Sequence, residues 1–202
     1  MIEIPTEVPV MALPNAVLFP HSLLPLYIFE RQYRDMLSYS LDGDRMFTVA
    51  LMKRGIKDAS GLQDLCSTAG VGLIRACVGN ENGTSNLVLQ GLARVRLLDS
   101  MQETPFRVAR IALVNSMLGN PIEAEALSAK VVEFCTRIEA LGVPLPPNLM
   151  GHLRQIESPE ILSDVVSAAF VTEPYQRQKL LEAYEVSERL RLLIQFLRSQ
   201  TG

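Results

Sequence analysis

The sequence contains few of the residues that catalysis and metal binding most often use. Its 202 residues include only two histidines, His21 and His152, and only three cysteines. Cys66, Cys77 and Cys135 are odd in number, lie far apart and form no C-x-x-C pair. This pattern argues against both a disulfide framework and a zinc knuckle. We therefore expect reduced, mostly buried thiols in a cytoplasmic protein.

The common nucleotide-binding and hydrolase motifs are absent as well. A P-loop needs a lysine followed by Ser or Thr, because the ammonium reaches the phosphates while the hydroxyl binds magnesium. The chain has four lysines, and the residues that follow them are Arg54, Asp58, Val131 and Leu180. No serine lies in a G-x-S-x-G elbow, and the two histidines are too far apart for an H-E-x-x-H site. We expect no catalytic residue, no metal site and no cofactor.

Charge and hydropathy argue against nucleic acid and membranes as partners, although a local basic patch is compatible with the overall charge. The net charge is −3 and the isoelectric point is near 5.5, which gives no broad electrostatic reason to bind nucleic acid. No apolar run approaches the roughly 20 residues that a bilayer requires. The first residues, MIEIPTEVPVMALP, lack the basic and apolar regions of a signal peptide. We expect a cytoplasmic protein that does not span a membrane.

The chain to about residue 114 has the features of a small antiparallel β-barrel. Short strand-like runs alternate there with turn-rich segments. Pro14, Pro20 and Pro25 divide the apolar run 13–33 into strand, turn, strand and helix, because each proline removes a backbone donor. Asn82-Gly83 predicts a tight type I′ hairpin that pairs residues 71–79 with 86–92.

Two further features of this half lead to specific expectations. Gly70, Gly72 and Gly91 lie in or beside the hairpin strands, where glycine more often marks a bulge or a barrel corner than a ligand contact. Residues 53–65 show little periodicity and predict an exposed loop.

After residue 120 the apolar spacing changes to that of helices. Asn120-Pro121 predicts a helix start, and Gly142 predicts its end. The segment 148–156 predicts a short helix, Ser158-Pro159-Glu160 predicts the capped start of another, and Pro174 opens a further one. Ser187 is the predicted cap of a final helix. The fold class is therefore α+β, with a barrel over residues 1–117 and a helical bundle over residues 118–202.

Four segments together resemble one known family. VPVMALPNAVLFPHSLLPLYIFERQYRDML at 8–37 and DLCSTAGVGLIRACVGNENGTSNLVLQGLARVRLLD at 64–99 are followed by LPPNLM and by SPEILSDVVSAAF…LLEAYEVSERLRLLIQFL. They are similar to the N-terminal substrate-binding domain of Lon proteases. Its G-T-x-A-x-I … L-x-x-G-x-x-R pattern is matched at Gly70, Gly72, Ile74, Leu89, Gly91 and Arg94. Pro14-Asn15 departs from the family, because a charged residue usually stands there.

The resemblance implies a PUA-like barrel followed by a helical bundle. It also implies a recognition module that binds exposed apolar segments of unfolded or damaged proteins, as an adaptor in protein quality control with an ATP-dependent protease as a further partner. The Walker A lysine and the P-K-D-G-P-S-A-G peptidase motif are absent from the sequence. We therefore expect a stand-alone, non-enzymatic form of the domain.

Candidate contact residues lie around the proline-broken first strands. We select Phe19, Leu23, Leu24 and Tyr27, because apolar side chains there are available to bind apolar segments. Packing in the barrel core or between domains explains each of the four at least as well.

Two arginine pairs support alternatives to the binding of apolar segments, namely binding of anions or of RNA. Arg94 and Arg96 are two apart on one strand and so share a face, which makes them a candidate anion site. A solvated outer face with Asp99 and Glu103 as counter-charges explains them more simply. With Arg107 and Arg110 they would form a strip for RNA, the alternative function, because PUA-like barrels elsewhere recognise RNA. An enzyme with a site invisible to motifs is the third alternative.

Overall fold

A computed structural model describes residues 2–200. Within that range the chain forms six β-strands and six α-helices. The strands are β1 Glu7–Leu13, β2 Leu23–Ile28, β3 Met46–Leu51, β4 Thr68–Gly79, β5 Ser85–Gln102 and β6 Val108–Val114. The helices are α1 Arg31–Asp42, α2 Pro121–Ala140, α3 Leu149–Leu153, α4 Pro159–Phe170, α5 Pro174–Glu182 and α6 Val186–Arg198. This order of elements confirms the α+β class.

The strands form one sheet that closes on itself. Their order is β2-β5-β4-β3-β1-β6, and a further pairing of β5 with β6 closes the barrel. The expectation of a purely antiparallel barrel is wrong in one place, because β1 and β3 are parallel. The chain between them passes through β2 and α1, and such a crossover lets the third strand run in the same direction as the first.

The predicted bulges at the glycines are confirmed. The pairing register of β4 and β5 shifts between Val71 and Gly72. A Cβ added to Gly70 would lie 2.0 Å from the carbonyl oxygen of Leu18, and one added to Gly91 would lie 1.9 Å from that of Phe19. The backbone of residues 18–19 therefore crosses the two strands at a distance that only glycine permits.

Buried side chains form two clusters within the barrel unit. One contains Val10, Ala50, Val71, Val95 and Ala109 with their neighbours. The other contains Met36 and Leu37 of α1 packed with Phe47, Ile74 and Leu89. The hydroxyl of Tyr33 in α1 donates to the carbonyl of Ala12 in β1 at 2.9 Å. Helix α1 therefore covers one of the two clusters.

The β4–β5 hairpin has the predicted pairing and a different turn. Gly79 pairs with Ser85, and Ile74 with Leu89. Gly83 has φ +79°, whereas Asn82 is not among the residues with positive φ, so the turn is not type I′. The amide of Gly83 donates to the carbonyl of Asn80 at 3.0 Å, and that of Asn80 to the carbonyl of Thr84 at 2.8 Å. This is a three-residue loop with glycine at its left-handed position.

The segment 53–65 is more ordered than the expected exposed loop. Ile56, Ala59 and Leu62 pack against a buried cluster, and Leu65 is buried within it. The carboxylate of Asp64 accepts from the backbone amide of Ser60 at 2.8 Å and from its hydroxyl at 2.7 Å. These hydrogen bonds hold the pKa of Asp64 below its usual value. Short-range polar contacts of this kind leave no periodic signal in a sequence.

Capping residues account for most helix starts in the second half. The side chain of Asn120 accepts from the amides of Ile122 and Glu123, and the Ser158 hydroxyl accepts from the amide of Ile161. Both caps were predicted, and each precedes a proline in the first turn. The prediction for Ser187 is wrong, because α6 begins at Val186 and Glu185 is its cap. The Ser187 hydroxyl donates instead to the carbonyl of Leu118 at 3.3 Å.

A buried ion pair connects α4 with α6. The Arg189 and Asp164 side chains are both 0% exposed, and Nη1 of Arg189 lies 3.1 Å from the carboxylate of Asp164. The same guanidinium donates to the carbonyl of Ala183 at 2.9 Å and to the hydroxyl of Ser116 at 2.8 Å. A buried charge is tolerated when it is paired and its other donors are satisfied, and Arg189 meets both conditions.

The chain divides into two compact units, Met1–Val114 and Asn115–Gly202. Met117 belongs to the second unit, because its amide donates to the carbonyl of Tyr184 and its carbonyl accepts from the amide of Val186. The sequence-based division between residues 117 and 118 lies close to this boundary.

None of the three cysteines, all within the described residues, takes part in a disulfide. Cys135 in α2 is buried, whereas Cys66 and Cys77 are half-buried, so burial is less general than expected. Loss of solvation raises the pKa of the Cys135 thiol to about 12.

We expect Cys135 to be inert in the folded protein. Because the thiolate is the reactive form and this thiol is both neutral and inaccessible, iodoacetamide at about pH 8 should leave it unmodified. In denaturant it should react at the rate of an ordinary thiol. Peptide mapping by mass spectrometry measures this, with Cys77 as the half-buried comparison. Labelling of Cys135 in the folded protein would contradict the prediction.

Candidate functional site

An exposed apolar surface lies on the outer side of β2, β5 and β4. Side chains of β2 alternate in exposure, and Leu23 and Tyr27 are 66% and 53% exposed. The pairing register places Pro25 beside Val88 of β5, which in turn pairs with Ala76 of β4. We call this surface the outer face and define it by Leu23, Pro25, Tyr27, Phe29, Val88, Ala76 and Val78.

A β-bulge at Arg75 brings β4 into the outer face. Ile74 pairs with Leu89 and Ala76 pairs with Val88, so β4 has one extra residue, Arg75, at this point. Residues two apart on a regular strand share a face, but here Ile74 is buried and Ala76 is exposed. The bulge therefore turns Ala76 and Val78 outward, and Val78 is 64% exposed.

Aromatic rings and a shallow hollow give the outer face its shape. The rings of Tyr27 and Phe29 stack with centroids 5.8 Å apart and planes inclined by 25°. Phe29 is 60% exposed. Beside them is an open hollow of about 410 Å³, lined by Pro25, Leu26, Tyr27, Ala76, Val78, Asn86, Leu87 and Val88. Apolar and aromatic lining of this kind favours contact with apolar groups.

Only two of the four predicted contact residues lie on this face. Leu23 and Tyr27 are on it, whereas Phe19 is 0% exposed and Leu24 is half-buried against the core cluster of α1. Phe19 is buried because residues 18–19 cross the sheet at the glycine positions, and Leu24 points inward by strand alternation. The surface does not include these two side chains.

Sequence reasoning missed the other members of the face. Phe29 continues the spacing of Leu23, Pro25 and Tyr27, so the two-residue alternation was a usable signal for it. Ala76 and Val78 had no such signal, because a regular strand would have placed them on the side of Ile74.

The two residues of the predicted anion site differ in exposure. Arg94 is 1% exposed and interacts with other groups of the protein, whereas Arg96 is exposed. Arg94 lies where β5 is paired on both sides, with Gly70 of β4 and Val114 of β6. The pairing register is unbroken from Arg94 to Arg96, so the two residues share one face of β5 as expected. A buried guanidinium next to an exposed one nevertheless makes no common basic surface.

The other two arginines of the proposed RNA strip are neutralised by carboxylates. Nε of Arg107 lies 2.9 Å from Glu103, and Arg107 also donates to the carbonyl of Ala59. Arg110 lies 3.6 Å from Glu7 and 3.6 Å from Asp99. Paired arginines attract phosphates less strongly, so the surface gives the RNA hypothesis little support.

The histidines lie apart from each other and from the outer face. His21 is exposed at a turn with φ 61°, and its amide donates to the carbonyl of Gly91 at 3.0 Å. His152 is exposed on α3. Among residues 2–200 no three His, Cys, Asp or Glu side chains gather as a metal site would require. Of the helices in that range, none is both long enough and apolar enough to cross a bilayer.

Comparison with known proteins defines the class to which this fold belongs. Residues 7–199 match the family model of the ATP-dependent protease La (LON) substrate-binding domain. The chain therefore belongs to the LON substrate-binding domain family.

Individual relatives agree with this assignment. The chain is 28% identical to a Lon protease of Azospirillum brasilense over 204 residues, and 25% identical to the Lon protease of Escherichia coli K12 over 194 residues. These matches cover 100% and 96% of this chain and 25% of each relative. The chain thus spans about a quarter of the length of the curated relatives that it matches.

Solved structures share the fold. The N-terminal domain of a Mycobacterium avium complex Lon protease superposes with a TM-score of 0.72 at 18% identity, covering 95% of this chain and 98% of that one. A Lon N-terminal domain protein from Xanthomonas campestris gives a TM-score of 0.65 at 18% identity, covering 95% and 99%. Both expectations, the family and its fold, are confirmed.

Proposed function

We propose that this chain is a non-catalytic recognition module that binds exposed apolar segments of unfolded or damaged polypeptides on its outer face. The observation that carries the proposal is the cluster of exposed apolar side chains across β2, β5 and β4. Contiguous apolar patches on a folded protein are typical of interaction sites, because leaving them in water is unfavourable.

The family supports the substrate class. Its name describes a substrate-binding domain of an ATP-dependent protease, and polypeptides are the substrates of a protease. An ATP-dependent protease is accordingly our proposed further partner, with this chain as an adaptor in protein quality control that acts in the cytoplasm.

The outer face is suited to weak binding of many sequences. The residues that line its hollow are apolar apart from Asn86, so the hydrophobicity of a bound segment should contribute more to affinity than the exact order of its residues. Ordering a mobile chain costs conformational entropy, so one face should bind with a Kd of about 1 μM or weaker. Tight binding of one polypeptide would then need the outer faces of several copies of this chain at once.

Binding to a permanently unfolded protein tests this function. We expect Leu23→Ser to raise the Kd for fluorescein-labelled, reduced and carboxymethylated α-lactalbumin by about threefold to tenfold, because a largely exposed leucine loses its apolar contact. Fluorescence anisotropy measures the change. The control is Leu113→Ser on β6, which removes a leucine that is 56% exposed outside the outer face. It should leave the Kd unchanged.

The same titration separates the proposal from its alternatives. No saturable binding by the wild-type protein, or an equal loss in both variants, would contradict the proposal. Apolar binding should change little with salt, whereas RNA binding would weaken steeply as ionic strength rises. Hydrolysis of ATP or cleavage of casein by the purified chain would overturn the non-catalytic assignment.

A further inference from the structure

The open edge of β2 has a gap in its backbone hydrogen-bonding groups. Within residues 2–200, β2 pairs only with β5, so its other edge is unpaired. The amide of Gly91 donates to the carbonyl of Ser22 at 2.9 Å, and the register runs on from there through Leu23–Gln90 to Tyr27–Asn86. In an antiparallel pair the direction of these groups alternates, so those of Leu23, Pro25 and Tyr27 point to the open edge.

Pro25 occupies the central position of that edge. A proline has no amide hydrogen, so the edge has donors only at Leu23 and Tyr27. A polypeptide added as a further strand would leave one of its carbonyls without a donor in the middle of the pairing. Prolines at sheet edges prevent strand addition in this way.

The side chains of the same strand are nevertheless available on the outer face. Leu23 and Tyr27 are more than half exposed, and the hollow lies between β2 and Val78. An occupant can therefore reach apolar side chains across three strands without joining the sheet.

The charge at this face favours an occupant with an acidic residue. Arg75, the extra residue of the bulge, is exposed next to Ala76, and within residues 2–200 it forms no ion pair. None of the residues that line the hollow is charged. A carboxylate on the bound segment is therefore complementary to this face, whereas a lysine is not.

We infer that the outer face binds an apolar segment with an acidic residue through side chains alone, and that Pro25 prevents the segment from being added to β2 as a strand. This inference rests on the proposed function and specifies how the same surface recognises its substrate.

The test uses the full chain and a fluorescein-labelled peptide of about ten residues that contains leucine, phenylalanine and one glutamate. Two further peptides carry N-methyl groups on alternate amides, one set for each edge of an extended chain. We expect all three Kd values to agree within about threefold, because the backbone amides make no contact. A larger loss for either methylated peptide would show strand addition and overturn the inference.

Two variants provide matched controls. Pro25→Val restores the missing amide hydrogen at an exposed position. We expect N-methylation of the peptide to weaken its binding to this variant. Arg75→Gln should remove the preference for the glutamate peptide over its lysine counterpart, which we expect to be about threefold in the wild type. If the wild type shows no such preference, the charge assignment is wrong.

The outcomes of this experiment distinguish a failure of the inference from a failure of the proposed function. Binding of the unmethylated peptide with a loss on methylation overturns only the binding mode. Absence of binding by every peptide and by the unfolded protein overturns both.

Discussion

Replacing Asp164 by alanine should destabilise the second unit by about 3–5 kcal/mol, because the substitution leaves the Arg189 guanidinium buried without its carboxylate. Both side chains are fully buried, and the ion pair joins α4 to α6. Urea unfolding followed by far-UV circular dichroism measures the overall loss. Hydrogen exchange of the α4 and α6 amides assigns the loss to this unit.

Removing both charges distinguishes a charge effect from a packing effect. The double variant D164A/R189M replaces the ion pair with apolar groups, and we expect it to regain much of the stability that D164A loses. Glu133→Gln, which breaks exposed ion pairs with Lys130 and Arg137 in the same unit, should leave the unfolding midpoint nearly unchanged. A D164A protein as stable as the wild type would show that the pair contributes nothing to this fold.

Gly91→Ala should destabilise the barrel by more than about 3 kcal/mol, because its Cβ would overlap a backbone atom that cannot move aside. That Cβ would lie 1.9 Å from the carbonyl oxygen of Phe19. Either residues 18–19 or the β4–β5 pairing must shift. Hydrogen exchange of the β4 and β5 amides, measured by mass spectrometry, should show faster opening of both strands.

Gly79→Ala is the matched control for this substitution. Gly79 lies in the same strand pair, and an added Cβ there meets nothing within 4 Å. We expect a change in stability within about 0.5 kcal/mol. If the two alanine variants unfold alike, the close approach of the backbone at Gly91 is not what requires glycine.

The backbone crossing at the glycines and the buried ion pair explain which contacts some residues of the family motifs make. Gly70 and Gly91 belong to the segment that resembles the family, and both lie where the backbone of residues 18–19 crosses the strands. Asp164 and Arg189 both belong to the last of the four segments, SPEILSDVVSAAF…LLEAYEVSERLRLLIQFL, and they form the buried pair. The motif residues at these positions make contacts inside the fold and are not part of the outer face, so they give no information on the binding surface.

Local chemistry explains the features that could be predicted from the sequence. Asn120 and Ser158 cap helices through contacts that reach only a few residues along the chain. The prolines of residues 13–33 act on their own backbone and on that of their neighbours. Such effects depend on adjacent residues, so they are readable without knowledge of the tertiary structure.

The candidate site could be predicted only in part. Leu23 and Tyr27 were selected from the sequence and are on the outer face, but Phe19, selected with them, is buried. The strand alternation that exposes Leu23 was readable, whereas the crossing that buries Phe19 depends on glycines far along the chain.

The α+β class, the family, the segmentation by proline and the helix starts at Asn120 and Ser158 could be read from the amino-acid sequence without the structure. Four further features depend on how distant segments pack in the folded protein: the bulge at Arg75, the parallel pairing of β1 with β3, the burial of Arg94 and the pairing of Asp164 with Arg189. The two groups of features differ in the separation along the chain over which the interactions act. Propensity and capping act between neighbours, whereas register and charge pairing are settled between segments that meet only when the chain folds.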